Sequence, residues 1–258
     1  ALPKSLLFWR SSTHYIGGLG VVIFLLLVLP GASPYRHKLA TMEMSALSKE
    51  GYRYKSSKIV FIIACVYLGF TVTSCLALWA AGMPFFDAIT TTFGTAGTGG
   101  FGIKNTSAMG YSLYSQMVIA VFMFLFGINF NCYYLLIIKH FKSVFKDEEL
   151  RTYLCVVALS VCAIAINIFH MFGNVADAFR HSAFQVASLI TTTGYSTVDF
   201  DSWPSFSKSV LLILMVFGAC AGSTGGGLKL ARVILLLKNL LRNISQVLRP
   251  QKVKVIKI

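Results

Sequence analysis

Thr191-Thr192-Thr193-Gly194-Tyr195-Ser196-Thr197 is the stretch on which the fold turns, because an earlier one, Gly94-Thr95-Ala96-Gly97-Thr98-Gly99-Gly100-Phe101-Gly102, shares its character. Each follows a run that reads as helix but is too short to cross a bilayer. Residues 85–95 would rise only about 16 Å as helix, and residues 175–190 carry Asp177, Arg180, His181 and Gln185, too polar to face lipid. Apolar runs bracket both units, at 59–81 and 113–138 around the first and at 153–169 and 210–219 around the second. The order span, short helix, Thr/Gly segment, span therefore occurs twice. Setting Gly99 on Gly194 places the units 95 residues apart, with Ala88/Ala183 and Thr98/Thr193 as the flanking identities. The repeat is one of architecture more than of sequence.

Composition agrees with a chain built for lipid. Of 258 residues, 56% are hydrophobic and 12% charged, about half the charge of an ordinary soluble domain. Another apolar run, residues 13–29, opens the chain, and 228–241 resumes a helix near its end. The expected fold class is an all-α polytopic membrane protein made of span–pore-loop–span repeats. That excludes a cytosolic enzyme with a conventional core, and no His/Asp/Glu or Cys/His constellation sits at membrane depth for a membrane enzyme. The chain begins with Ala and shows no signal pattern, so it is expected to be an excerpt or a processed product.

A net charge of +14 invites a nucleic-acid partner, but its distribution argues otherwise. Eighteen of the 23 Lys and Arg fall in three stretches, at 36–58, 139–151 and 229–257. The rich connections should face the cytoplasm and the poor ones the outside. No base-reading motif accompanies them, so no nucleic acid is expected, and membrane lipids with anionic headgroups are the natural contact. Six cysteines at 65, 75, 132, 155, 162 and 220 lie in or beside apolar spans without CxxC spacing, and read as small core residues.

Irregular backbone at membrane depth is tolerated only where protein buries it or where it lines a watery cavity. Carbonyls arranged in a ring replace the hydration shell of a potassium ion. Glycine supplies the backbone angles that aim successive carbonyls at one axis. Thr192-Thr193-Gly194-Tyr195-Ser196 follows the potassium-channel pattern Thr-Val-Gly-Tyr-Gly, and Gly97-Thr98-Gly99-Gly100-Phe101 is a looser version. Pro84 with Asp87, and Asn174 with Asp177, mark helix starts. Helices begun there direct partly negative C-terminal ends at the Thr/Gly segments, which favours a cation.

Gly222-Ser223-Thr224-Gly225-Gly226-Gly227 breaks the last span. It is either a flexible loop or a glycine packing cluster. A nucleotide-binding P-loop is excluded because Leu228 stands where Lys is required. Lys229 is either an interface anchor or a charge near the permeation path. Asp199 and Asp201 either concentrate cations at a pore mouth or cap a surface loop.

Together with Ile16-Gly17-Gly18-Leu19-Gly20, the segments 93–101, 191–197 and 218–229 resemble the Trk branch of the Trk/Ktr/HKT potassium-uptake family, and the resemblance covers essentially the whole chain. It implies four such repeats around one pore. Residues 1–30 would be the closing helix of repeat one, 31–56 a cytoplasmic loop and 57–138 repeat two. Residues 139–150 would be a second cytoplasmic loop, 151–241 repeat three and 242–258 a basic cytoplasmic linker. It further implies potassium ligation, with no covalent cofactor, around Gly97, Thr98, Gly99, Gly100, Thr192, Thr193, Gly194 and Tyr195. The loop 222–227 with Lys229 would be the gate. Implied partners are a cytosolic nucleotide-binding (RCK/KTN-type) regulatory subunit and a second copy of the full-length protein, in a bacterial inner membrane. The first filter and the fourth repeat have no counterpart in these residues, so a parent chain nearly twice as long is expected. The competing function is a secondary cation symporter with broken helices.

Overall fold

The computed structural model describes residues 2–20 and 56–248. Its helices are α1 (Lys4–Leu19), α2 (Ser56–Ala80), α3 (Phe85–Ala96), α4 (Leu113–Phe126), α5 (Phe130–Ile137), α6 (Phe141–Lys146), α7 (Glu148–Phe172), α8 (Val175–Ile190), α9 (Ser205–Val216) and α10 (Leu230–Leu248). The fold is all-α, and among the described residues the strand-like pairing is confined to one bridge, Phe217 with Leu228. The expected loop at 31–56 and the end of the basic linker lie almost wholly outside the described residues.

Val60–Ala80 within α2, and Glu148–Phe172, are long and apolar enough to span a bilayer. Both turn large apolar side chains outward, Phe61 at 69% exposure and Ile166 at 76%, as a helix facing hydrocarbon should. The expected continuous span at 113–138 is instead bent by 86° between α4 and α5. Asn129 causes the restart, since its side chain accepts the Asn131 N–H at 3.0 Å and caps α5. Hydropathy does not register a cap inside an apolar run. Residues 139–150 are likewise not a bare loop, because they hold α6 and the first turn of α7.

The two short helices start where the sequence signals them. Asn174 caps α8 by accepting the Ala176 N–H, directly after α7 closes on Gly173 in the left-handed region. Pro84 stands just before α3, with Asp87 in its first turn. α4 lies between α3 and α8 and touches both; α3 also packs on α1 and α2, and α8 on α7 and α9. Ala88, Met123, Phe184, Ala187 and Tyr195 form one buried cluster across this contact. The two short helices are thereby fixed relative to each other by side chains from both units.

Candidate functional site

α3 and α8 each end in a turn that reverses into the Thr/Gly segment, and the two turns share one hydrogen-bond pattern. Gly94 O receives the N–H groups of Gly99 and Gly100 at 2.8 and 3.3 Å, and Ser188 O receives those of Thr193 and Gly194 at 2.9 and 3.2 Å. Thr98 and Thr192 both take positive φ, 49° and 59°, followed two residues later by Gly100 at 62° and Gly194 at 86°. The structural partner of Gly194 is thus Gly100, 94 residues earlier as 194 is from 100, and the Gly99 register expected from sequence is off by one. Thr98 and Thr192 are then the matched threonines. The identity at Thr98/Thr193 was coincidental.

The segments touch. A Cβ built on Gly100 would fall 1.6 Å from Thr193 O, so no other residue fits there without moving the neighbouring carbonyl. Tyr195 is 2% exposed, with its hydroxyl 3.4 Å from Thr91 O and filling the space beside Gly94. Its carbonyl accepts the Ser188 hydroxyl at 2.6 Å. Beyond it, Ser196 is held by Ser107 and Ala108 of the other unit. Tyr111, in the same connecting turn, donates to Asp87 Oδ2 at 3.1 Å. Burial, and then the Asp87 charge, push the Tyr111 hydroxyl above its ordinary pKa, so it remains a donor.

Of the residues that brace these segments, Arg10 and His14 carry no signal in the sequence. Arg10 of α1 donates to Gly102 O at 2.8 Å and lies 5.2 Å above the Phe101 ring, on which His14 also stacks. His181 on α8 lies 2.9 Å from Thr197 Oγ1 through Nδ1 and 2.9 Å from Arg180 Nη2 through Nε2. A guanidinium only donates, so Nε2 accepts and Nδ1 carries the proton toward Thr197.

Between α9 and α10 the Gly-rich loop is a closed lariat. Gly218 N–H bonds Leu228 O at 2.9 Å and Leu228 N–H bonds Val216 O at 3.2 Å. Its tip meets both Thr/Gly segments. Thr98 Oγ1 stands 2.8 Å from Thr224 O and from its own neighbour Gly97 O, so its one proton serves these two carbonyls in turn. Thr192 Oγ1 donates to Thr191 O and accepts the Gly226 N–H, both at 2.7 Å. Lys229 donates to Gly225 O, turning its ammonium inward to the loop. Ser223 donates to Cys220 O at 2.6 Å, and Gly222 and Gly227 both take φ of 73°.

The base of the loop rests on a residue the sequence did not single out. Glu149 is 0% exposed; its Oε1 accepts the N–H groups of Ala221 at 2.5 Å and Ala231 at 3.2 Å, and its Oε2 accepts Asn129 Nδ2 at 3.3 Å. The α4–α5 break adds two bonds, Cys220 N–H to Gly127 O and Phe130 N–H to Gly222 O, each 3.1 Å. In sequence, Glu149 is the last of three consecutive acidic residues at a helix start and looks like any exposed N-terminal carboxylate. Asp199 and Asp201 are both exposed. Asp199 Oδ1 accepts the Asp201 N–H and caps the turn Phe200–Ser202.

Comparison with known proteins agrees with the all-α fold. The family model described as TrkH, cation transport protein, matches residues 1–258. The chain is similar to the Trk system potassium uptake protein TrkH of Salmonella typhimurium, at 32% identity over all of this chain and 54% of that one. It is 32% identical to Trk system potassium uptake protein TrkG of Escherichia coli, over 97% of this chain and 53% of that one. The crystal structure of the potassium transporter TrkH from Vibrio parahaemolyticus superposes with a TM-score of 0.82 at 29% identity, covering all of this chain and 53% of that one. The chain spans about half the length of the curated relatives it matches.

Proposed function

This chain belongs to the TrkH cation transport family, and from that premise we propose that it supplies two of the four repeats of a potassium-uptake pore in the bacterial cytoplasmic membrane. One observation supports this above the others: two Thr/Gly turns with the same alternation of positive φ, at Thr98 and Gly100 and at Thr192 and Gly194, in mutual contact at the ends of two short helices. Such alternation turns successive carbonyls toward one side, and the C-terminal ends of α3 and α8 add negative potential there. The ion ligands would be carbonyls of Gly97, Thr98, Gly99 and Gly100 and of Thr192, Thr193 and Gly194. Tyr195 would act as a brace, given its burial and its bond to Ser188.

The Gly-rich loop is the gate in this reading, since Thr224 and Gly226 lie against the two filter threonines. Lys139, Lys142 and Lys146 are exposed around α6 and would face anionic lipid and a cytosolic nucleotide-binding regulatory subunit. A homodimer of the full-length protein completes the proposal.

Cation flux into liposomes holding the full-length protein tests it. Flux that prefers K⁺ over Na⁺ and is abolished by Gly194→Asp, in protein that still inserts, is the expected result. Flux that survives this substitution, or that requires a second solute, would overturn it in favour of coupled symport.

A further inference from the structure

We propose that Glu149 is the positioning residue of the Gly-rich loop, holding it shut beneath the two Thr/Gly segments. The proposal rests on the reading of that loop as the gate.

A carboxylate removed from water is costly unless hydrogen bonds replace its hydration. Glu149 is fully buried and has three such bonds, none of which serves its own helix. Asp147 already caps α7 by accepting the Leu150 N–H at 2.9 Å, and Glu148 reaches outward to Lys238 of α10. Helix capping therefore does not explain Glu149. One oxygen instead joins the two ends of the loop: Ala221 on the way in, and Ala231 in the first turn of α10, where N–H groups have no partner within the helix. The other oxygen is tied to Asn129 at the α4–α5 break, whose neighbours Gly127 and Phe130 bond the loop directly. Loop base, α10 start and broken span thus converge on a single side chain. Its loss frees the loop at its root while leaving the contacts of Thr98 and Thr192 at its tip.

The test is K⁺ flux per inserted molecule of full-length protein in liposomes, without regulator, for wild type, Glu149→Gln and Glu149→Ala. The glutamine keeps an oxygen where both backbone N–H groups bond and loses only the Asn129 contact, where its amide would meet the Asn129 amide donor to donor, so its flux should stay well below that of the alanine. The alanine removes all three bonds, and its basal flux should rise by roughly tenfold. A residue that only maintained the fold would lower flux when lost, because misfolded protein does not conduct selectively. Unchanged or reduced flux in Glu149→Ala would overturn the proposal, as would Glu149→Gln as leaky as the alanine. If the alanine fails to insert, Glu149→Asp, one methylene shorter, should leak at an intermediate level, and wild-type flux in that variant would equally overturn it. No K⁺-preferring flux in any variant, the alanine included, would count against the gate reading itself, a result separable from K⁺-preferring flux that the alanine leaves at the wild-type level.

Discussion

Gly100 and Thr193 come from different units, yet a Cβ on Gly100 would lie 1.6 Å from the Thr193 carbonyl oxygen. The two Thr/Gly turns are therefore built as one object. Gly100→Ala must displace that carbonyl, and it also places a side chain at a φ of 62°, which costs about 1–2 kcal/mol on its own. Potassium flux is expected to fall at least about tenfold with weakened K⁺/Na⁺ preference. Flux assays with both ions, on protein of native oligomeric profile, check this.

Thr98 and Thr192 bond the loop with opposite polarity, one donating to Thr224 O and the other accepting from Gly226 N–H. Replacing either by Val keeps the volume and removes the hydroxyl, a loss of about 1 kcal/mol per bond. Each single variant should raise unstimulated flux a fewfold, and the double variant by the product of the two. A double variant no leakier than the singles would show that the two contacts act as one.

Tyr195 separates shape from polarity. Its hydroxyl bond to Thr91 O is long, at 3.4 Å, so Tyr195→Phe should cost under about 1 kcal/mol. Tyr195→Ala empties a buried aromatic site and should cost about 3–5 kcal/mol. Thermal unfolding in detergent should show a small shift for Phe and a large one for Ala.

Arg10 combines a hydrogen bond to Gly102 O with a position above the Phe101 ring. Its planar group makes both contacts at once, which an ammonium does not reproduce. Arg10→Lys is expected to reduce K⁺ flux nearly as far as Arg10→Ala, with insertion unaffected. Full activity in the lysine variant would reduce the role of Arg10 to charge alone.

The sequence makes the scaffold readable and the joints obscure. α8 begins and ends where hydropathy, Asn174 and the threonines place it, because those signals are local. The register of the two Thr/Gly turns slips by one, since Gly99 and Gly100 are adjacent and only backbone φ and the bonds to Gly94 and Ser188 distinguish them. The bend at Asn129 hides inside an apolar run. Glu149 is invisible for a further reason: its partners Ala221 and Ala231 offer backbone N–H groups, which every non-proline residue carries. Arg10 and His14 are missed likewise, because their target is a ring and a carbonyl some ninety positions away.

The bridge between Phe217 and Leu228 closes the neck of the lariat where α9 and α10 begin to diverge. If the loop is the gate, that pinned neck lets the backbone inside it move as a flap whose hinges stay put, with no need for either helix to tilt or slide. The perimeter presented to the acyl chains is then the same with the flap raised or lowered. Displacing such a flap would do no work against lateral membrane pressure, and bilayer thickness and tension would then have little leverage on this part of the protein.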